Sequence, residues 1–167
     1  MIVIAHSDGS LSTPQRQFRC ALGKTGVIVA AEKREGDGKS PLGVWLMRRV
    51  LYRADRGSAP ATRLPVLTIA EGDGWCDAPG DPNYNRPVKL PYPASHERMW
   101  REDGLYDVVV ILGHNDDPPV AGMGSAIFMH CAREDYGPTE GCVALAKADL
   151  LTVLARCGPG DAVEIRR

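Results

Sequence analysis

The sequence predicts a mostly-β fold with one main helix near the C-terminus. Short apolar runs rich in β-branched residues recur along the 167-residue chain, and clusters of Gly, Pro, Asp and Asn separate them, as 18 glycines and 13 prolines allow. Only one segment has clear helical periodicity.

Taken in order, the runs IVIA (2–5), RQFRCAL (16–22), VWLMRRVLY (44–52), VLTIA (66–70), DVVVIL (107–112) and AIFMH (126–130) read as strands. KADLLTVLARCG (147–158) reads as the main helix, because Leu150, Leu151, Leu154 and Cys157 fall on one face and Gly158 stands where a helix ends. DAVEIR (161–166) reads as a closing strand. A second, short helix is expected through PASHERMWRED (93–103), with Ser95 as cap and Glu97 four positions before Arg101. Residues 72–92 read as a long polar loop, and a loop of that length in a compact domain is more often functional than idle. No internal repeat appears, and residues 1–167 are expected to form one domain.

Composition narrows the function. The hydrophobic fraction of 44% suffices for an ordinary core, and 20 Lys plus Arg against 21 Asp plus Glu leave a net charge of −1 with no block of like charge. That excludes an electrostatic footprint for nucleic acid or an anionic membrane. The opening MIVIAHSDGS has too short an apolar run and no basic start for a secretory signal, and no run is long enough to span a bilayer. The expectation is a cytoplasmic protein, or a periplasmic one if an export signal was removed. Cys20, Cys76, Cys131, Cys142 and Cys157 form no CxxC pair and are odd in number, which points to a reducing compartment and away from a zinc site. Nothing in the sequence indicates an oligomeric state.

The stretch IFMHCAREDYGPTEGCVAL (127–145) is the candidate site. Cys142 sits in a turn-rich segment behind Gly141, where a side chain is presented at a sheet edge and a substrate can approach the backbone. Backbone N–H groups around Gly141 and Cys142 are positioned to face an oxyanion. A catalytic thiol needs a base, and His130, at the end of AIFMH, is the nearest histidine. The carbonyl of Cys131 is the local acceptor for the second imidazole N–H. On spacing alone, a His and a Cys twelve apart are more often packing residues.

The segment MHCAREDYGPTEGCVAL resembles the active-site signature of the L,D-transpeptidase catalytic domain, the YkuD-like family: a histidine, a variable loop, then Ser or Thr, one residue, Gly and Cys. Here these are His130, Thr139, Gly141 and Cys142. EGDGKSPLGVW (35–45) resembles the family's early hairpin, and GPGDAVEI its final strand. The chain departs from the family at Glu140, where many members have His, at Ala144, where Asn or Arg is common, and in a shorter loop. The resemblance implies a β-sandwich or barrel-like fold and acyl transfer on peptidoglycan stem peptides, with Cys142 as nucleophile, His130 as base, and no metal or organic cofactor. The implied partner is a peptidoglycan tetrapeptide or muropeptide. With a cytoplasmic location the expected activity is an L,D-carboxypeptidase of murein recycling; the alternatives are a wall-crosslinking L,D-transpeptidase and a non-catalytic peptidoglycan-binding module. Labelling by a thiol-reactive probe is the expected discriminator for the last.

Further residues are candidates by position. Thr139, Arg133, Asp135 and Tyr136 lie between base and nucleophile, and Tyr84, Asn85 and Arg86 in the long loop suit a lid or a carboxylate clamp. His114, in LGHNDDPP, reads first as part of a polar turn and second as a rim residue. His6 and His96 are expected to be exposed, and Cys20, Cys76 and Cys157 to be structural.

Overall fold

The computed structural model describes residues 1–167. The strands are β1 (Ile2–His6), β2 (Ser10–Ser12), β3 (Gln17–Arg19), β4 (Val27–Val29), β5 (Ser40–Tyr52), β6 (Val66–Thr68), β7 (Asp73–Cys76), β8 (Pro87–Lys89), β9 (His96–Arg98), β10 (Val108–Leu112), β11 (Phe128–Cys131), β12 (Val143–Leu145) and β13 (Ala162–Arg166). One α-helix, α1, spans Lys147–Leu154. No helix is long and apolar enough to cross a membrane.

The 13-residue β5 organises the fold by pairing with different strands along its two halves. Its first half pairs antiparallel with β13, from Gly43↔Ile165 to Leu46↔Ala162, and its second half pairs antiparallel with β10, from Met47↔Leu112 to Tyr52↔Val108. Along the main path the strand order is β12-β11-β10-β5-β13-β1-β2-β3. A register shift between Ile111 and Leu112 accompanies the bend, as bulges do where a sheet turns. The two halves enclose a core of 22 buried residues, among them Leu11, Val50, Val110, Met129, Leu145, Leu150 and Ile165. Burial of each large aliphatic side chain there stabilises the fold by ~1.5–3 kcal/mol.

A second sheet, in the order β8-β7-β9, covers the outer face of β10 and β11. Strand alternation supplies both sides: Val108, Val110, Leu112, Met129 and Cys131 belong to the main core, whereas Val109, Ile111 and Phe128 join Trp75, Met99, Tyr106 and Cys142 in a second cluster. All five residues of β10 are buried, so its apolar run does not alternate.

Three sequence expectations are corrected here. Residues 93–103 are not a helix: His96–Arg98 is β9, paired as Cys76↔His96, Trp75↔Glu97 and Gly74↔Arg98. An exposed Glu–Arg pair four apart is worth only ~0.2–0.5 kcal/mol to a helix, less than the ladder and apolar burial that β7 offers. Residues 72–92 are not loop throughout, since they contain β7 and β8. The main helix also stops at Leu154 rather than running to Gly158, and the Cys157 thiol donates to Val153 O at 3.2 Å.

Candidate active site

Pleat and register bring His130 and Cys142 to one face. In β11, Met129 and Cys131 point into the main core, so His130 points outward. β12 runs parallel to β11 with Met129↔Val143 and His130↔Ala144, which sets Cys142 level with Phe128 and offset from His130 by about 7 Å along the strands. Both side chains line one cavity of about 320 Å³, together with Lys33, Glu35, Asp77 and Glu97.

The imidazole is held for base chemistry. His130 Nδ1 donates to Cys131 O at 2.9 Å, and because a carbonyl only accepts, Nδ1 carries the proton and Nε2 keeps its lone pair. The Tyr106 ring packs on the imidazole edge at 5.4 Å between centroids. Burial, the largest influence, lowers the His130 pKa to about 4, so the ring is neutral near pH 7.

The thiol is held just as firmly. Cys142 Sγ donates to Ala126 O at 3.2 Å and accepts from Phe128 N–H at 3.4 Å. Burial first, then the Glu97 charge, pushes its pKa up to about 12. Burial thus favours the neutral form of each group, a thiol and an imidazole that line the same cavity.

The turn before Cys142 needs glycine. Gly141 has φ +135°, and a Cβ there would lie 2.8 Å from Lys39 O. Thr139 Oγ1 accepts from Gly141 N–H at 3.1 Å and donates to Cys142 O at 2.8 Å, stapling the turn. The Gly141 N–H expected to face an oxyanion is thus engaged, while the Cys142 N–H makes no backbone hydrogen bond and remains as the donor.

Asn85 sets the thiol's acceptor. Ala126 adopts φ +53°, a conformation L-residues rarely take, and its N–H donates to Asn85 Oδ1 at 2.9 Å. The same oxygen accepts from Trp75 Nε1 at 3.0 Å, and Asn85 Nδ2 donates to His114 O and Asn115 O at 3.1 and 2.6 Å. Asn85, read from the sequence as part of a lid, is instead a buried hub behind the nucleophile.

The remaining candidates divide. Arg133 and Thr139 line the cavity, although the Thr139 hydroxyl serves the turn. Cys131 contributes its carbonyl, while its thiol lies in the main core. Tyr84, Arg86, Tyr136 and His114 do not line the cavity. Tyr84 is buried and donates to Glu35 Oε2, Arg86 is exposed elsewhere, and Tyr136 stacks with Arg19 at 4.3 Å. His114 is buried against Trp45, with Nε2 3.0 Å from Met123 O. Asp135 is exposed and caps the Gly137 N–H. His6 and His96 are half-buried rather than exposed, and His96 Nδ1 lies 2.7 Å from Ala94 O. All five cysteines are free and buried. Sequence reading missed Lys33, Asp77, Glu97 as a cavity residue, Tyr106 and Ala126. Only the family-like hairpin at 35–45 hinted that residues near Lys33 and Glu35 approach the site.

Comparison with known proteins adds the family. The sequence pattern of the YkuD family, the L,D-transpeptidase catalytic domain, matches residues 4–165. No curated protein matches the chain. Among solved structures, an L,D-transpeptidase from Mycobacterium smegmatis aligns at 12% identity with a TM-score of 0.49, over 99% of this chain and 58% of that one. The chain thus spans a little over half the length of that protein. With the family pattern extending over residues 4–165, nearly the whole sequence, the chain belongs to the L,D-transpeptidase catalytic domain family.

Proposed function

We propose that this chain is a cysteine-dependent L,D-carboxypeptidase that trims peptidoglycan tetrapeptides. The carrying observation is that Cys142 and His130 share a cavity in which Nδ1 is fixed on Cys131 O and Nε2 is left to accept the thiol proton. Sγ attacks the carbonyl carbon between the third residue and the terminal D-alanine, and the thiol proton passes to Nε2. The Cys142 N–H holds the oxyanion. Collapse breaks the C–N bond, Nε2–H protonates the departing amine, and a thioester remains. Water then gives its proton to Nε2 as its oxygen attacks; the C–S bond breaks and the thiolate recovers the proton.

The cavity of about 320 Å³ is within the range of ligand sites and accommodates the end of a stem peptide. The proposal carries a cytoplasmic location, where soluble muropeptides would be substrates, and cell fractionation tests that part. The activity is tested by incubating the protein with a murein tetrapeptide, with and without excess D-amino acid, beside Cys142→Ala. Tripeptide as main product in both conditions supports the proposal; exchanged or dimeric peptides mean transpeptidation; no Cys142-dependent product means a binding module or another substrate. Thiol labelling does not replace this assay, because a resting thiol at about 12 labels slowly even in an active enzyme.

A further inference from the structure

A groove of about 500 Å³, sharing no residue with the catalytic cavity, opens between the β5–β6 pair and the small sheet. Register builds its floor. Val109, Leu51 and Leu67 stand side by side across β10, β5 and β6, through the pairs Val109↔Leu51 and Leu51↔Leu67. The small sheet covers only the first of them: Val109 is fully buried, Leu51 is half-buried, and Leu67 is 54% exposed. Trp75, Val88 and Met99 form the facing wall. An apolar row that begins beneath one sheet and ends in water leaves surface for a ligand to cover.

The next row on the same face ends in a charge. Ile111 pairs with Arg49, which precedes Leu51 by two residues and so lies about 7 Å from it along β5. Arg49 is half-buried, lines the groove, and has neither a hydrogen-bond partner nor an ion pair. The carboxylates of this region are engaged elsewhere, Asp73 with Lys89 and Asp116 with Arg48 at 2.8 Å. Beyond Arg49 the groove continues into a hollow of about 230 Å³ that shares Arg49, Trp75 and Pro87 with it, and there Arg86 is exposed and equally unpaired. Four cations thus face two carboxylates along the two hollows, in a chain whose net charge is −1. The local field favours an anion.

A ligand that answers both features joins an apolar body to one anionic group. The planar fork of a guanidinium matches a carboxylate through two parallel hydrogen bonds, and Arg49 is the one cation of the groove that is both half-buried and unpaired. The volume falls within the range of small-molecule sites. We propose that this groove binds an aliphatic carboxylate, its chain laid over Leu51 and Leu67 against Trp75 and its head group on Arg49. A neutral chain would leave the guanidinium without a partner, and an alkylammonium would be repelled by it. The back wall belongs to the support of the nucleophile, since Trp75 Nε1 donates to the same Asn85 oxygen that accepts from Ala126 N–H. Trp75 is therefore a built-in fluorescence reporter for the groove.

The test titrates the full chain with hexanoate, octanoate, octanol and octylammonium, each below its micelle concentration, by calorimetry and tryptophan fluorescence. Octanoate should bind saturably and at least about tenfold more tightly than octanol, with octylammonium weakest, and each methylene added between hexanoate and octanoate should tighten binding about two- to fourfold. In R49Q the preference for octanoate over octanol should shrink to about twofold. L67N should weaken octanoate and octanol alike while keeping that preference. Leu67 is exposed and Arg49 half-buried, so both variants should keep the urea midpoint of the wild type; R49K, which keeps the charge and loses the fork, should fall between the wild type and R49Q. No saturable binding of octanoate up to about 10 mM overturns the proposal. So does a preference for the anion retained in R49Q, octylammonium bound as tightly as octanoate, or octyl phosphate bound at least about tenfold more tightly. Binding to anionic phosphatidylglycerol vesicles with none to the monomeric probes makes the groove a membrane contact and overturns it too. No arm uses turnover, so the result stands apart from the acyl-transfer reading of Cys142.

Discussion

The two faces of β11 and its neighbours carry two nearly equivalent cysteines with different surroundings. Cys131 and Cys142 are both buried, and each thiol donates to a backbone carbonyl, Val108 O at 3.8 Å and Ala126 O at 3.2 Å. Burial is the main cause that raises both, to about 11 and about 12. On the inner face, however, Cys131 meets only the main apolar core, whereas Cys142 meets a cavity that also holds His130. The state of the thiol does not separate a structural from a reactive cysteine here. What separates them is a neutral base with a free ring nitrogen, an unengaged N–H and room for a substrate.

The strongest way to break that comparison is to remove each thiol in turn. Cys142→Ala should lower D-alanine release at least about thousandfold, and Cys131→Ala should keep kcat within about threefold while costing ~1–2 kcal/mol in urea unfolding. Equal losses of activity would sink the distinction between the faces. Alkylation kinetics sharpen it next. With its pKa near 12, Cys142 should react on the order of a thousandfold more slowly than an ordinary free thiol at neutral pH, rising about tenfold per pH unit. A plateau near neutrality would reveal a thiolate–imidazolium pair instead.

His130→Gln should reduce kcat by about 10²–10⁴-fold, the usual span for a general base. The pH profile carries the sign: His130 is neutral above about 4, so activity should hold as pH falls from neutrality and drop only as that value is approached. Its native pKa lies below the ordinary 6.5, so the unfolded chain binds more protons between the two values and stability declines as pH falls through that window. His130→Gln should flatten that decline by up to about 3 kcal/mol, read by denaturation at a series of pH values.

Asn85→Ala leaves the Trp75 and Ala126 N–H groups without their acceptor. It should cost ~2–3 kcal/mol of stability and lower kcat by about tenfold or more, through a displaced Cys142 rather than weaker substrate binding. A rise in KM with kcat unchanged would contradict that role. The smallest effect is expected at Arg86→Ala and Tyr136→Phe: both residues stand away from the cavity, and kcat/KM should stay within about twofold.

How much was legible follows from the range over which each signal acts. The strand at Val108–Leu112 and the helix beginning at Lys147 announce themselves through apolar content that either structure must bury. The pairing of His130 with the Cys131 carbonyl was legible for the same reason, since both lie within two consecutive residues. β7, β8 and β9 were not, because strands of three or four residues with Gly, Pro and charged neighbours carry little propensity of their own. Asn85 looked like a turn residue in sequence, and nothing local indicates that its amide will reach Ala126, 41 positions away.

By itself the sequence determined the β-rich class, the main helix, the His130 and Cys142 pair and, through Thr139, Gly141 and Cys142, the family resemblance, because these depend on residue type and short spacing. Only the tertiary structure decided which face each side chain took, that Gly141 N–H is engaged while Cys142 N–H is not, and that Glu35, Asp77 and Glu97 share a wall with the nucleophile. The physical reason is that pleat direction and strand partnership are set by burial of the whole sheet. A cavity assembled from four distant segments has no signature in any one of them.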